Sequence, residues 1–111
     1  MFPAQFGSKW EENEYRALVQ LKIPFRYQVP ELGGYGERGS TIIDFVVQRP
    51  NALQPVALFV DGPYWHRAKN GKQVEDLLKR RRLEQYGYMV KVLGDQSESY
   101  EGALSWSKAN L

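Results

Sequence analysis

The sequence predicts an α/β domain: a mixed β-sheet flanked by helices, in the order α-β-β-β-α-β-α. Three observations carry that reading. Apolar residues recur at helical spacing around Trp10 to Leu21, Val74 to Leu83 and Tyr100 to Trp106. Short apolar or alternating runs, "FRYQV", "TIIDFVV", "VALFVD" and "YMVKVL", read as strands. Strands that alternate with helices after an initial hairpin suggest a sheet covered by helices.

The elements follow in order. Ser8 reads as the N-cap of the first helix, with Glu11 completing a capping box. Acids in its first turn suit the helix dipole. Trp10, Ala17, Leu18 and Leu21 share one face, and Pro24 stops the helix. "FRYQV" alternates as a short strand, and "PELGGYGERGS", with its glycines, is a wide turn. "TIIDFVVQ" is a strand and "PNALQP" a turn. "VALFVD" is apolar enough for a central strand. "KNGKQVEDLLKRRRLEQYG" is a second helix that points Val74, Leu77, Leu78 and Leu83 at the core, with Gly87 at its end. "YMVKVL" is the last strand. "SESYEGALSWSKANL" is a terminal helix begun by Ser97 or Ser99 that packs Tyr100, Leu104 and Trp106.

The length of 111 residues suits one domain, 1–111, able to bury one core without staples. The absence of cysteine excludes disulfides, Cys-ligated zinc and thiol nucleophiles. No run approaches the roughly 18 apolar residues of a membrane span. The start, "MFPAQFGSKWEENE", lacks the basic and apolar regions of a signal peptide. A soluble, cytoplasmic protein without membrane association is therefore expected. The net charge of +2 is mild, but Arg67, Lys69, Lys72, Lys79, Arg80, Arg81 and Arg82 crowd one segment. Such clustering is the electrostatic footprint of a phosphate backbone partner.

Several residues fit chemistry at strand ends. Asp44 interrupts an apolar strand, where burial disfavours its charge unless a cation or donors are near. Asp61 follows the next strand. If the two end on the same side, their oxygens suit Mg²⁺ or Mn²⁺, completed by waters and a phosphate oxygen. The alternatives are an Asp44 that faces water or pairs with an arginine, and an Asp61 that simply makes a turn with Gly62. Glu11 and Glu14 lie on the first helix, either as a solvated face or as a third carboxylate reaching the site. His66 is the only histidine and can move a proton near neutral pH. Asp76 could orient it. Tyr64 and Trp65 are core residues or base-stacking ones. Arg67, Lys69, Lys72, Lys79, Arg80, Arg81 and, in the glycine-rich loop, Arg38 are candidate phosphate contacts. Lys79 to Arg82 cannot all point one way, and a solvated face is the alternative for part of them. A metal, a proton-transfer group and backbone cations are what phosphodiester hydrolysis requires.

On "WEENEYRALVQLKIPFRYQ", "IIDFVV", "FVDGPYWH" and "DLLKRRRLEQYGYMV", the chain resembles the restriction-endonuclease-like PD-(D/E)XK nuclease superfamily. Within it, the likeness is greatest to very-short-patch-repair endonucleases and to related small endonuclease-like domains. The resemblance implies a restriction-endonuclease-like sheet and a Mg²⁺-dependent DNA endonuclease or nickase. It puts a helix glutamate at Glu11, the principal metal-binding aspartate at Asp44 and a carbonyl metal ligand at Val60. It puts a catalytic histidine at His66 with Asp76 as its partner, and an aromatic near DNA at Trp65. It also implies departures. An acid is expected at Phe59 and often a lysine at Asp61, so Asp61, Glu11 or the Val60 carbonyl would have to complete the metal site. The cysteine-ligated zinc of the repair enzymes is absent. A domain this short often needs a homodimer or a protein partner for specificity. The alternative function is a nuclease-fold module that binds nucleic acid without cutting it.

Overall fold

A computed structural model describes residues 6–31, 41–62 and 72–111, with the side chains of 72–76 outside that description. The described elements are α1 (Lys9–Gln20), β1 (Phe25–Glu31), β2 (Thr41–Val47), β3 (Val56–Val60), α2 (Lys72–Gln85), β4 (Met89–Leu93), a 3-10 turn (Asp95–Glu98) and α3 (Tyr100–Asn110). Four strands form one mixed sheet in the order β1-β2-β3-β4. β1 and β3 flank β2 antiparallel, and β4 joins β3 in parallel. The expected α/β class, with a mixed sheet flanked by helices, is therefore present.

Local chemistry explains the element ends. Ser8 Oγ accepts from the Glu11 N–H at 3.1 Å, which satisfies one of the orphan donors of α1. Ser99 does the same for Gly102 at the start of α3. α2 closes on Gly87, whose φ of +97° is glycine's left-handed region, while the Tyr88 N–H returns to the Leu83 carbonyl at 3.1 Å. Pro30 lies in edge strand β1, where a missing N–H is tolerated.

The sheet divides the core into two layers. One face buries Phe45, Val47, Leu58, Val60 and Leu93 against Ala17 and Leu18 of α1 and Ala103 of α3. The other buries Val29, Ile43, Val46, Ala57 and Phe59 against Leu83 of α2. Leu77 and Leu78, expected in the core, are 53% and 58% exposed. The inward side of α2 runs instead through Leu83 and, three and four residues before it, Arg80 and Lys79, spacings that share one helix face. Both leucines sit off that side. Val74 falls outside the described side chains.

A buried polar seam joins α1 to the end of the chain. Asn13 donates to the Ser97 carbonyl at 2.7 Å. Glu14, for which a solvated helix face was one expectation, is fully buried. The Ser107 hydroxyl lies 2.9 and 2.8 Å from its two carboxyl oxygens. Burial pushes the Glu14 carboxyl up to about 8, only partly offset by Ser107. A protonated acid fits this geometry: Ser107 donates to one oxygen, and the acid proton serves Ser107 in return.

The sign of the pH effect follows. Between about 4.5 and about 8 the unfolded chain releases the Glu14 proton and the folded chain keeps it, so stability falls as pH rises. Asp44, described below, acts in the same direction. Glu14→Gln keeps the shape and the Ser107 contact without a charge to bury. Chemical denaturation should find it more stable than wild type at pH 8 by about 2–4 kcal/mol, with the gap closing towards pH 4.

Candidate functional site

The site begins with an irregularity in the sheet. Residues two apart along a strand normally share a face. Phe45 and Val47 of β2 lie in the α1/α3 layer, but Ile43 lies in the α2 layer. β1 switches at the same level: Phe25 and Tyr27 pack on the first layer and Val29 on the second. Tyr27 pairs with Phe45 and Val29 with Ile43. Between these pairs lie Gln28, with a φ of +53°, and Asp44. Asp44 thus sits where both strands change face.

The β2–β3 ladder ends at this point. Its pairs run from Val47↔Val56 to Phe45↔Leu58. Continuing that register would set Val60 opposite Ile43. Instead the Val60 N–H donates to Asp44 Oδ2 at 2.8 Å. A side-chain carboxylate thereby accepts the bond that a main-chain carbonyl would otherwise take. This bond engages the Val60 N–H; the role that the resemblance implies concerns its carbonyl.

Asp61 follows immediately, its N–H bonded to the Leu93 carbonyl at 2.9 Å. Gly62 then turns the chain at a φ of +70°, and a Cβ there would lie 2.7 Å from the Trp10 ring. Glycine is required both by the backbone angle and by this close approach. The contact also brings the first turn of α1 to the strand end. There Glu11 Oε1 accepts from the Tyr27 hydroxyl at 2.8 Å and from Gln28 Nε2 at 3.4 Å. Its other oxygen is 3.4 Å from Ser8 Oγ.

The charges of these acids act on one another. Burial pushes the Asp44 carboxyl up to about 7, with the Val60 N–H opposing, the charges of Glu11 and Asp61 adding to the rise and Arg80 pulling it back. Burial also raises the Tyr27 hydroxyl to about 12, and Glu11 adds to it. Asp61 has a counter-ion among the described residues: Arg80 Nη2 lies 2.8 Å from its Oδ1, both side chains mostly buried. The same guanidinium stands 4.6 Å above the Phe59 ring, a cation–π contact. Arg80, expected to face a phosphate backbone, is therefore engaged at the strand end. Arg81 and Arg82 are exposed.

Where β2 and β3 part, a pocket of about 190 Å³ opens, lined by Thr41, Ile42, Phe59, Asp61, Lys79 and Arg80. Of the residues singled out from the sequence, Glu11, Asp44, Val60 and Asp61 come together at this level, with Lys79 and Arg80 beside Asp61. Lys72 and Asp76 belong to α2, but their side chains lie outside the described set. Arg38, Tyr64, Trp65, His66, Arg67 and Lys69 lie outside the described residues. Tyr27, Gln28 and Thr41 were not anticipated. Tyr27 lies on the strand that pairs with the Asp44 strand, which is a weak signal, and the sequence carries none for Gln28. Among the described residues no group of three or more His, Cys, Asp or Glu side chains is placed to hold a metal ion. Asp44 and Asp61 are the two acids that the sequence put forward as metal ligands, and Asp61 is paired with Arg80.

Two outcomes test this geometry. A ¹³C-detected titration of the Asp44 carboxyl should have its midpoint near 7, and Arg80→Met should move that midpoint upward, because a nearby positive charge is lost. Gly62→Ala should lower folding stability by about 1–3 kcal/mol in thermal or denaturant unfolding, through the strained backbone angle. Comparisons of the chain with protein-family models, curated proteins and solved structures returned no match.

Proposed function

We propose that the chain is a nuclease-type domain of the restriction-endonuclease-like class that hydrolyses phosphodiester bonds in DNA with the help of Mg²⁺ or Mn²⁺. The observation that carries this reading is the approach of Asp44, midway along β2, to Asp61, just past the end of β3, with Glu11 close enough to raise the Asp44 carboxyl. Acids crowded in a low-dielectric site favour a cation among them. In this reading Asp44 and Asp61 hold the ion, and Glu11 acts through water. A divalent ion there supplies an activated water and neutralises the scissile phosphate. The chain's own residues do the rest. The Val60 N–H fixes the orientation of the Asp44 carboxylate. His66, oriented by Asp76, takes or returns the proton. Lys72, Lys79 and Arg81, with Arg67 and Lys69, neutralise the DNA backbone.

The Asp61–Arg80 pair favours a second reading. A guanidinium already balances one of the two proposed ligands, and Phe59 offers an aromatic face where an acid oxygen would serve an ion. A module that binds nucleic acid through its basic segment without cutting it is consistent with both facts.

A nicking assay on plasmid and branched DNA separates the two. The enzyme reading expects Mg²⁺- or Mn²⁺-dependent cutting, lost in Asp44→Ala and reduced by about 10²–10⁴-fold in His66→Ala. If wild type and Asp44→Ala are equally inactive with every metal tried, and calorimetry detects no Mn²⁺ binding alongside salt-dependent DNA binding, the second reading stands.

A further inference from the structure

The pocket between the parted strands has a chemistry of its own. Among the described residues, two cationic side chains, Lys79 and Arg80, line it with one carboxylate, Asp61, and the Thr41 hydroxyl. Arg80 is held from two sides, by Asp61 Oδ1 at 2.8 Å and by the Phe59 ring at 4.6 Å. Those contacts do not use all of its donors, and Arg80 Nε is buried with no hydrogen-bond partner. An unpaired buried donor on a charged group is costly, and what it lacks is an acceptor oxygen. The volume of about 190 Å³ is below the roughly 300–1,000 Å³ of pockets that enclose drug-sized ligands. A phosphate group suits that size, whereas a whole nucleotide does not.

The donor types match a tetrahedral oxyanion. A guanidinium grips two oxygens side by side, an ammonium adds a point charge, and a hydroxyl can donate to a third oxygen. We propose that this pocket binds a phosphate group through Arg80, with Lys79 and Thr41, and that the bound anion and Asp61 compete for Arg80. The inference deepens the nuclease reading by naming the group held beside Asp61, and it rests on that reading only for the source of the phosphate. Binding there draws the guanidinium away from Asp61, because two anions share one cation.

Isothermal calorimetry with inorganic phosphate, in EDTA so that no metal bridges the anion, tests the proposal. Saturable binding is expected. Arg80→Gln should weaken it by at least about tenfold, as loss of a charged hydrogen bond does. Asp61→Asn should tighten it severalfold, since both the repulsion and the competing acceptor are reduced. Arg82→Gln, an exposed change on the same helix, should leave it unaltered. No saturable binding to wild type or Asp61→Asn overturns the proposal, and so does an Arg82→Gln loss as large as that of Arg80→Gln. If circular dichroism shows that Arg80→Gln does not fold, Lys79→Gln and Thr41→Val replace it. Binding unchanged in both of those variants overturns the proposal. A short DNA oligonucleotide that displaces the phosphate identifies a diester backbone as the occupant, and failure to displace it assigns the pocket to free phosphate or a phosphomonoester. The nuclease reading fails separately: it expects Asp61→Asn to lose cutting, whereas the phosphate pocket expects that variant to bind more tightly.

Discussion

The hydrogen bond from the Val60 N–H to Asp44 is the interaction on which the arrangement at the end of β3 depends. In a regular antiparallel pair that N–H would meet a main-chain carbonyl, and the ladder would run on. Here a carboxylate meets it, so β2 and β3 part without leaving that donor unpaired. The partial burial that raises the Asp44 carboxyl also makes the bond strong, because an unmade bond at that depth is expensive. At the change of face around Asp44 and Gln28, the Asp44 side chain reaches the neighbouring strand at the Val60 N–H. The pocket lined by Thr41, Ile42, Phe59 and Asp61 is the space that results.

The charges around that space are arranged unevenly. Glu11 is surrounded by hydroxyl and amide donors, Asp44 by a main-chain N–H, and Asp61 by a guanidinium. Neutral donors stabilise a carboxylate less than a cation does. The guanidinium thus stands at the Asp61 end of the group, and its charge also acts on Asp44. Phe59 makes sense in this setting. At a position where the resemblance asks for an acid, an aromatic ring offers its negative face to Arg80 and so helps hold the guanidinium over Asp61. The apolar residue and the ion pair form one arrangement.

The same first helix serves stability and site. Glu14 anchors α1 to α3 through Ser107, and Asn13 anchors it to the 3-10 turn through Ser97. One turn earlier, Glu11 reaches the opposite way, to Tyr27 on β1. Trp10, against which Gly62 turns, sits beside it. The strand end is thus positioned by a helix whose own docking depends on an acid that stays protonated when buried.

The sequence by itself determined the local elements. Period and caps are encoded within a few residues, so Ser8, Pro24 and Gly87 marked boundaries that the chain adopts, and of the two serines offered for the last helix the chain uses Ser99. It also singled out Asp44, because a carboxylate in an apolar strand conflicts with its surroundings whatever the fold. The tertiary structure alone decided what each charged group does. Glu14 and Glu11 look alike on the helix, yet one meets α3 and the other β1. Arg80 is one of four consecutive basic residues, and only the docking of α2 turned it to Asp61 and left Leu77 and Leu78 outside. The physical reason is range. Propensity and periodicity are properties of neighbouring residues, whereas desolvation and ion pairing depend on groups brought together from distant parts of the chain, Asp61 and Arg80 or Glu14 and Ser107.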